Sequence, residues 1–117
     1  MKIMSFNCRL GGPLKRSTLK RMVFLEHPDI FLLQETMGMS EVVKAILECW
    51  FAGWSFETLD GQGHSGGLAI GWNNRNVKVL NLWGLESVIG ISCLALDISI
   101  EFTVCNVYGP CLNRIPF

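Results

Sequence analysis

Asp29-Ile30-Phe31-Leu32-Leu33-Gln34-Glu35 is apolar from Ile30 through Leu33 and then ends on an amide and a carboxylate. A run with no polar face fits a strand covered on both sides, as in a buried parallel sheet. Pro28, just ahead of it, forces any preceding helix to stop. Upstream, Lys2 to Asn7 alternates, with Met4 and Phe6 on one face and Ile3, Ser5 and Asn7 on the other, so a strand is predicted there too. Gly11-Gly12-Pro13 then punctuates the chain, and Pro13 suits the first position of a helix whose Leu19, Met22 and Val23 recur at i, i+3 and i+4. Strand, helix and strand within about 35 residues make a βαβ unit.

Downstream, a second helix is expected over Glu41 to Trp50, with Ser40 as its N-cap and Val42, Val43, Ile46 and Leu47 as its buried stripe. Strand patterns follow with no further helix: Trp54 to Leu59, Gly67 to Trp72, Val77 to Trp83, Val88 to Asp97 and Ile100 to Tyr108. Asn73-Asn74-Arg75-Asn76 has the composition of a hairpin turn, as does the neighbourhood of Asp97 to Glu101. The expected order is therefore βαβα followed by a β-meander. No repeat or linker divides it, so the 117 residues read as one α/β unit.

Half of the residues are hydrophobic and 17% are charged, which excludes a disordered polar tail. No apolar run approaches the ~18 residues of a bilayer span, and the N-terminus turns polar too early for a signal-peptide core. The expectation is a soluble, intracellular protein without a membrane partner. Five cysteines, with no C-x-x-C pair, and only His27 and His64 make neither a zinc site nor a disulfide framework. The zero net charge hides an asymmetry, because residues 1 to 21 hold six of the ten bases (Lys2, Arg9, Lys15, Arg16, Lys20 and Arg21) and no acid. That segment either faces phosphate, with Arg9, Lys15 and Arg16 as candidate nucleic-acid contacts, or is a solvated helix face.

Gly61-Gln62-Gly63-His64-Ser65-Gly66-Gly67 fits both G-x-G-x-x-G and G-x-S-x-G, and both are rejected. A dinucleotide turn must open a helix, since the pyrophosphate sits on helix N-terminal amides, whereas Leu68-Ala69-Ile70-Gly71-Trp72 reads as a strand. A serine hydrolase of that type needs a histidine later in the chain, and none follows His64. What remains is a set of polar residues at strand ends: Asn7, Glu35 and Tyr108. In open α/β sheets such groups converge on a crevice. A carboxylate suits a hard cation, and an amide and a phenol suit phosphate oxygens. Read on spacing alone, the three are equally well turn residues and a surface aromatic.

Ser5-Phe6-Asn7-Cys8-Arg9, Pro28 to Thr36, Ser65-Gly66-Gly67-Leu68-Ala69-Ile70 and Asn106-Val107-Tyr108-Gly109-Pro110, in that order, resemble the endonuclease/exonuclease/phosphatase (DNase I-like) family. Within it they look most like the endonuclease domain of plant LINE-type retrotransposons. The resemblance covers Lys2 to Pro110 and matches the N-terminal half of a domain about twice as long, within the usual domain sizes. It implies half of a four-layer αββα sandwich: one mixed sheet, two helices on its outer face, and an inner face left without its partner sheet. It implies Mg²⁺- or Mn²⁺-dependent phosphodiester cleavage on DNA, and so a nuclear setting within the cell. Glu35 matches the metal-binding Glu, Asn7 the active-site Asn, and Tyr108 the Tyr that hydrogen-bonds the scissile phosphate. The family's Gly-Asp-x-Asn and Ser-Asp-His motifs, which supply the water-activating carboxylate and the catalytic His, have no counterpart here, and Leu10 stands where the family has Gly.

The expectation is a partial domain over residues 1–117, derived from a retroelement, with little activity alone, weak metal binding and self-association through the bare sheet face. The alternative is a non-catalytic module that binds nucleic acid or protein.

Overall fold

A computed structural model describes residues 1–8, 15–60 and 66–107. Parallel pairing of β1 (Ile3–Asn7) with β2 (Ile30–Gln34), through α1 (Arg16–Glu26), forms the expected βαβ unit. After α2 (Ser40–Trp50) come β3 (Trp54–Leu59) and β4 (Leu68–Asn73), and β4 inserts antiparallel between β2 and β3. The first sheet therefore runs β1-β2-β4-β3, mixed as expected. Each strand lies within a residue or two of its sequence-based bounds, because period-2 alternation and apolar runs are local signals.

The two helices cover one face of this sheet. Leu19 of α1 and Val43 and Leu47 of α2 pack on Phe31, Leu33, Phe56 and Ala69. Asp60, not Ser40, caps α2: its carboxylate accepts the Ser40 N–H at 2.6 Å, while Thr58 Oγ1 donates to the Ser40 carbonyl at 2.7 Å. The Lys44 to Glu57 ion pair adds a second tie between α2 and β3. Gly71 is required where it stands, since a Cβ there would come within 2.3 Å of the Phe56 ring across the β3–β4 pair.

The opposite face is where the structure departs from expectation. β5 (Val77–Leu85), β6 (Val88–Ala95) and β7 (Ile100–Val107) form a second, antiparallel sheet of their own. It packs face to face on the first: Ile30, Leu68, Ile70 and Trp72 meet Val77, Ile89, Ile91, Cys93 and Val104. The inner face is thus not bare, and the apolar surface invoked for self-association is buried between the sheets. The Asn73 to Asn76 turn is tight, with Asn76 N–H to the Asn73 carbonyl at 3.0 Å, but it is a corner between sheets and not a hairpin. The reason is pairing capacity: β4 already has β2 and β3 on its two edges, so the chain leaving it has no edge to take. The result among the described residues is three layers, helices on sheet on sheet, with β1 and β3 at the edges of the first sheet and β5 and β7 at those of the second.

Candidate functional site at the strand ends

The parallel register sets Asn7 opposite Gln34, and Glu35 follows immediately. The Cys8 N–H donates to the Gln34 carbonyl at 2.9 Å, which carries the β1–β2 contact one step beyond Asn7. Asn7 and Glu35 are thereby brought together at one end of the sheet. Asn7 is half-buried and Glu35 is 9% exposed. Glu35 also leaves the strand conformation, with φ at 54° in the left-handed region. For a side chain of this size that geometry costs about 1–2 kcal/mol, and such positions concentrate at functional sites.

A residue that sequence reading passed over holds the second sheet to this end of the first. Asn106 on β7 is 1% exposed, and its Nδ2 donates to the Leu33 and Ala69 carbonyls, both at 2.9 Å. Its Oδ1 accepts from Gln34 Nε2 at 2.8 Å, and Gln34 Nε2 also reaches Ser5 Oγ at 2.9 Å. One buried amide thus ties β7 to β2 and β4 beside Glu35. The signal was available: Phe102, Val104 and Asn106 share one face of an alternating strand, and an amide on a core face needs partners. Among the described residues no buried side-chain polar atom lacks a partner.

Tyr108 and Arg9 lie outside the described residues, as do Leu10, Pro13 and His64. β7 is described as far as Val107, the residue before Tyr108. Lys15 and Arg16 are exposed at the start of α1, which carries no acidic residue in its first turn. Since α1 crosses from the end of β1 back to the start of β2, the topology places its first residues toward the end of the sheet that holds Asn7 and Glu35. Lys20 is engaged elsewhere, its Nζ lying 5.9 Å from the centre of the Phe51 ring. The segment after Gly67 is β4 and not a helix, in agreement with the rejection of the dinucleotide and serine-nucleophile patterns.

Cys8 shares the environment of Glu35. Burial chiefly, and the Glu35 charge next, push the Cys8 thiol up to about 11. Burial also raises the Cys93 thiol, whose Sγ sits 3.6 Å from the Phe102 carbonyl. Alkylation of the native chain at pH 8 should therefore modify the exposed Cys49 and Cys105 and spare Cys8 and Cys93 until the chain unfolds, as read by mass spectrometry. The folded pKa of Cys8 lies above the ~8.5 of an unfolded thiol, so its contribution to stability is intact below that pH and is lost as pH rises toward 11. Native labelling of Cys8 at a rate near that of Cys49 would contradict the burial.

For a divalent cation, the donors at this end are the Glu35 carboxylate and the Asn7 carbonyl oxygen. Oxygen donors with one negative charge fit a hard, hydrated ion such as Mg²⁺, which is commonly held by one or two carboxylates and keeps several waters. Among the described residues no group of three or more His, Cys, Asp or Glu side chains converges on one point, so the fit is that of a loose partial site.

The Endonuclease/Exonuclease/phosphatase family matches residues 4–115, and the chain belongs to it. No curated protein matches the chain in sequence. Among solved structures, it is similar to D. rerio TDP2 complexed with single strand DNA product, at 16% identity and TM-score 0.72, over 96% of this chain and 47% of that one. It is also similar to an endonuclease/exonuclease/phosphatase family protein from Bacteroides thetaiotaomicron (13%, TM-score 0.71, 96% and 51%). A mannosyl-6-phosphatase from the same species matches at 15% and TM-score 0.66, over 90% of this chain and 50% of that one. The likeness establishes the sandwich fold, and the chain spans about half the length of these solved relatives. No helix among the described residues is long and apolar enough to cross a membrane.

Proposed function

We propose that the chain is the metal- and phosphate-holding half of a phosphodiester-cleaving domain of the LINE-retroelement endonuclease type, acting on DNA once a second half is supplied. The observation that carries the reading is the β1–β2 register, which puts Asn7 and Glu35 at one sheet end, with β7 tied to the same end by Asn106. In this reading Glu35 is the carboxylate that would hold Mg²⁺ or Mn²⁺, and the bound cation would neutralise charge developing on the phosphate. Asn7 offers its amide N–H to a phosphate oxygen or its carbonyl to the cation. Tyr108 donates its hydroxyl to the scissile phosphate, and Arg9, Lys15 and Arg16 draw in the polyanion. In-line hydrolysis also needs an activated water, and no residue here is assigned to that task. The basic first segment favours a nucleic acid over a small sugar phosphate, although the fold serves both kinds of relative.

The purified chain with Mg²⁺ or Mn²⁺ should therefore leave supercoiled plasmid un-nicked relative to a buffer control, and calorimetry should find Mg²⁺ binding weaker than micromolar. DNA binding should weaken steeply with salt and should drop in a Lys15→Ala, Arg16→Ala double variant, as measured by fluorescence anisotropy. Nicking that survives further purification and disappears in Glu35→Gln would sink the half-site reading. Salt-dependent binding that persists when the other half is present and no cleavage follows would favour a non-catalytic nucleic-acid module instead.

A further inference from the structure

We propose that Gly66 is a positioning residue that sets the direction of the Glu35 carboxylate by giving the chain entering β4 room to lie against the Glu35 backbone; this rests on the reading of Glu35 as the cation-holding group. The regular β2–β4 ladder ends at Gln34 opposite Leu68. Beyond it the strands stay joined in a distorted form, with Thr36 N–H to the Gly67 carbonyl at 3.3 Å and Met37 N–H to the Gly66 carbonyl at 2.6 Å. Thr36 Oγ1 also reaches the Gly66 carbonyl at 3.4 Å. Along this joint Glu35 and Met37 are left-handed at φ 54° and 55°, and Gly67 has φ 90°.

A left-handed Glu persists only when its surroundings fix it. Here the fixing contact is close: a Cβ on residue 66 would stand 3.0 Å from Glu35 Cα, 3.2 Å from Glu35 Cβ and 2.5 Å from Met37 Sδ. The Met37 side chain is 62% exposed and can swing away, whereas the Glu35 contacts are with its Cα and Cβ, just past the end of the regular ladder at Gln34, where the backbone can rotate. Added bulk at residue 66 is therefore relieved by turning Glu35 out of its left-handed geometry, and the carboxylate moves with it. Gly66 touches no substrate in this account; it acts through Glu35.

The test is a set of two-dimensional NMR spectra of the full chain, with Mn²⁺ alone as the probe. In the parent chain, small additions of Mn²⁺ should broaden the amide signals of Glu35, Thr36 and Cys8 first, and Glu35→Gln should remove that effect. Gly66→Ala should replace the strong intraresidue HN–Hα contact diagnostic of a left-handed Glu35 by a weak one. It should also raise the Mn²⁺ needed for equal broadening by about tenfold or more, the usual loss when a supporting residue of a metal ligand is removed. Signals of Ile89 to Cys93 in β6 should stay in place, which separates a local turn of Glu35 from general loosening. Should Gly66→Ala fold poorly, the Gly66→Ala, Met37→Ala pair removes the worst overlap and leaves only the contact with Glu35. If either variant keeps the left-handed Glu35 signature and the parent's Mn²⁺ response, Gly66 does not position Glu35. If the parent chain itself shows no broadening at Glu35, the cation reading fails, while the backbone signature still decides whether Gly66 fixes Glu35.

Discussion

Replacing Asn106 by Leu should cost about 2–4 kcal/mol of stability, a large share of the ~5–15 kcal/mol that holds a typical domain together. Leu has the branching and heavy-atom count of Asn, so the effect is chiefly polar, with some crowding from its bulkier methyl groups added. Leu33 and Ala69 lie on interior strands paired on both sides, so their carbonyls keep their ladder bonds, and what is lost is three hydrogen bonds, two from Asn106 Nδ2 and one to its Oδ1, at about 0.5–1.5 kcal/mol each. Gln34 Nε2 keeps its bond to Ser5 Oγ and loses only one partner. Asn106→Asp is the sharper probe, because it keeps the shape and removes the donors. A carboxylate facing two carbonyls has its folded pKa raised, so this variant should be least destabilised below about pH 4 and should lose stability as pH climbs above it. Cys105→Ala, one residue away on the exposed face of β7, should change little. Thermal melts of the three variants at pH 4 and pH 7 check the claim; an Asn106→Leu melt within about 0.5 kcal/mol of the parent would show that the two sheets meet without this amide.

That amide also marks the boundary between what the sequence declares and what it conceals. Ile30 to Leu33 and the alternation of Met4 and Phe6 are local patterns, and local patterns were enough to place β1, β2 and the helices and to flag Asn7 and Glu35 as strand-end residues. Which strands pair is a non-local matter. Leu68 to Trp72 is buried throughout, and such a run says that both faces are covered without saying by what. Only once β4 is seen between β2 and β3 does it follow that β5 must begin another sheet. Asn106 was hidden for a related reason: a polar residue near a strand end reads as an edge or turn position unless the facing sheet is known. The helix cap shows the same limit on a smaller scale, since Ser40 has the right chemistry for the N-cap of α2 but Asp60, twenty residues away, supplies the acceptor. Gly66 belonged to a stretch that fits the dinucleotide and serine-nucleophile patterns, both rejected, and the distance its missing Cβ would have to Glu35 is what points to a role for it.

Mixing this chain with the C-terminal half of a close full-length relative should restore Mg²⁺-dependent cleavage of plasmid DNA. The two-sheet structure changes where the second half must dock. The inner faces already bury one another, which leaves the sheet edges: β1 and β3 bound the first sheet and β5 and β7 the second, and since β7 lies against β2 and β4, the β1 and β7 edges open toward the same side. Ile3 on β1 and Val107 on β7 are 44% and 60% exposed, apolar surface that added strands would cover at about 25 cal/mol per Å². Strand addition would also satisfy the backbone groups along both edges, against the entropy of joining two chains. The incoming half would then bring its carboxylate and histidine to the sheet end that carries Asn7 and Glu35. Glu35→Gln should lower the restored rate by on the order of 10²-fold or more, because an amide cannot supply negative charge to the cation. Tyr108→Phe should lower it about tenfold, the worth of one hydrogen bond near 1.4 kcal/mol. A stable complex that cleaves equally well with Glu35→Gln removes Glu35 from the metal site, whereas the absence of any complex, with the isolated chain folded, removes the two edges as the docking surface and leaves the chain to act through DNA binding alone.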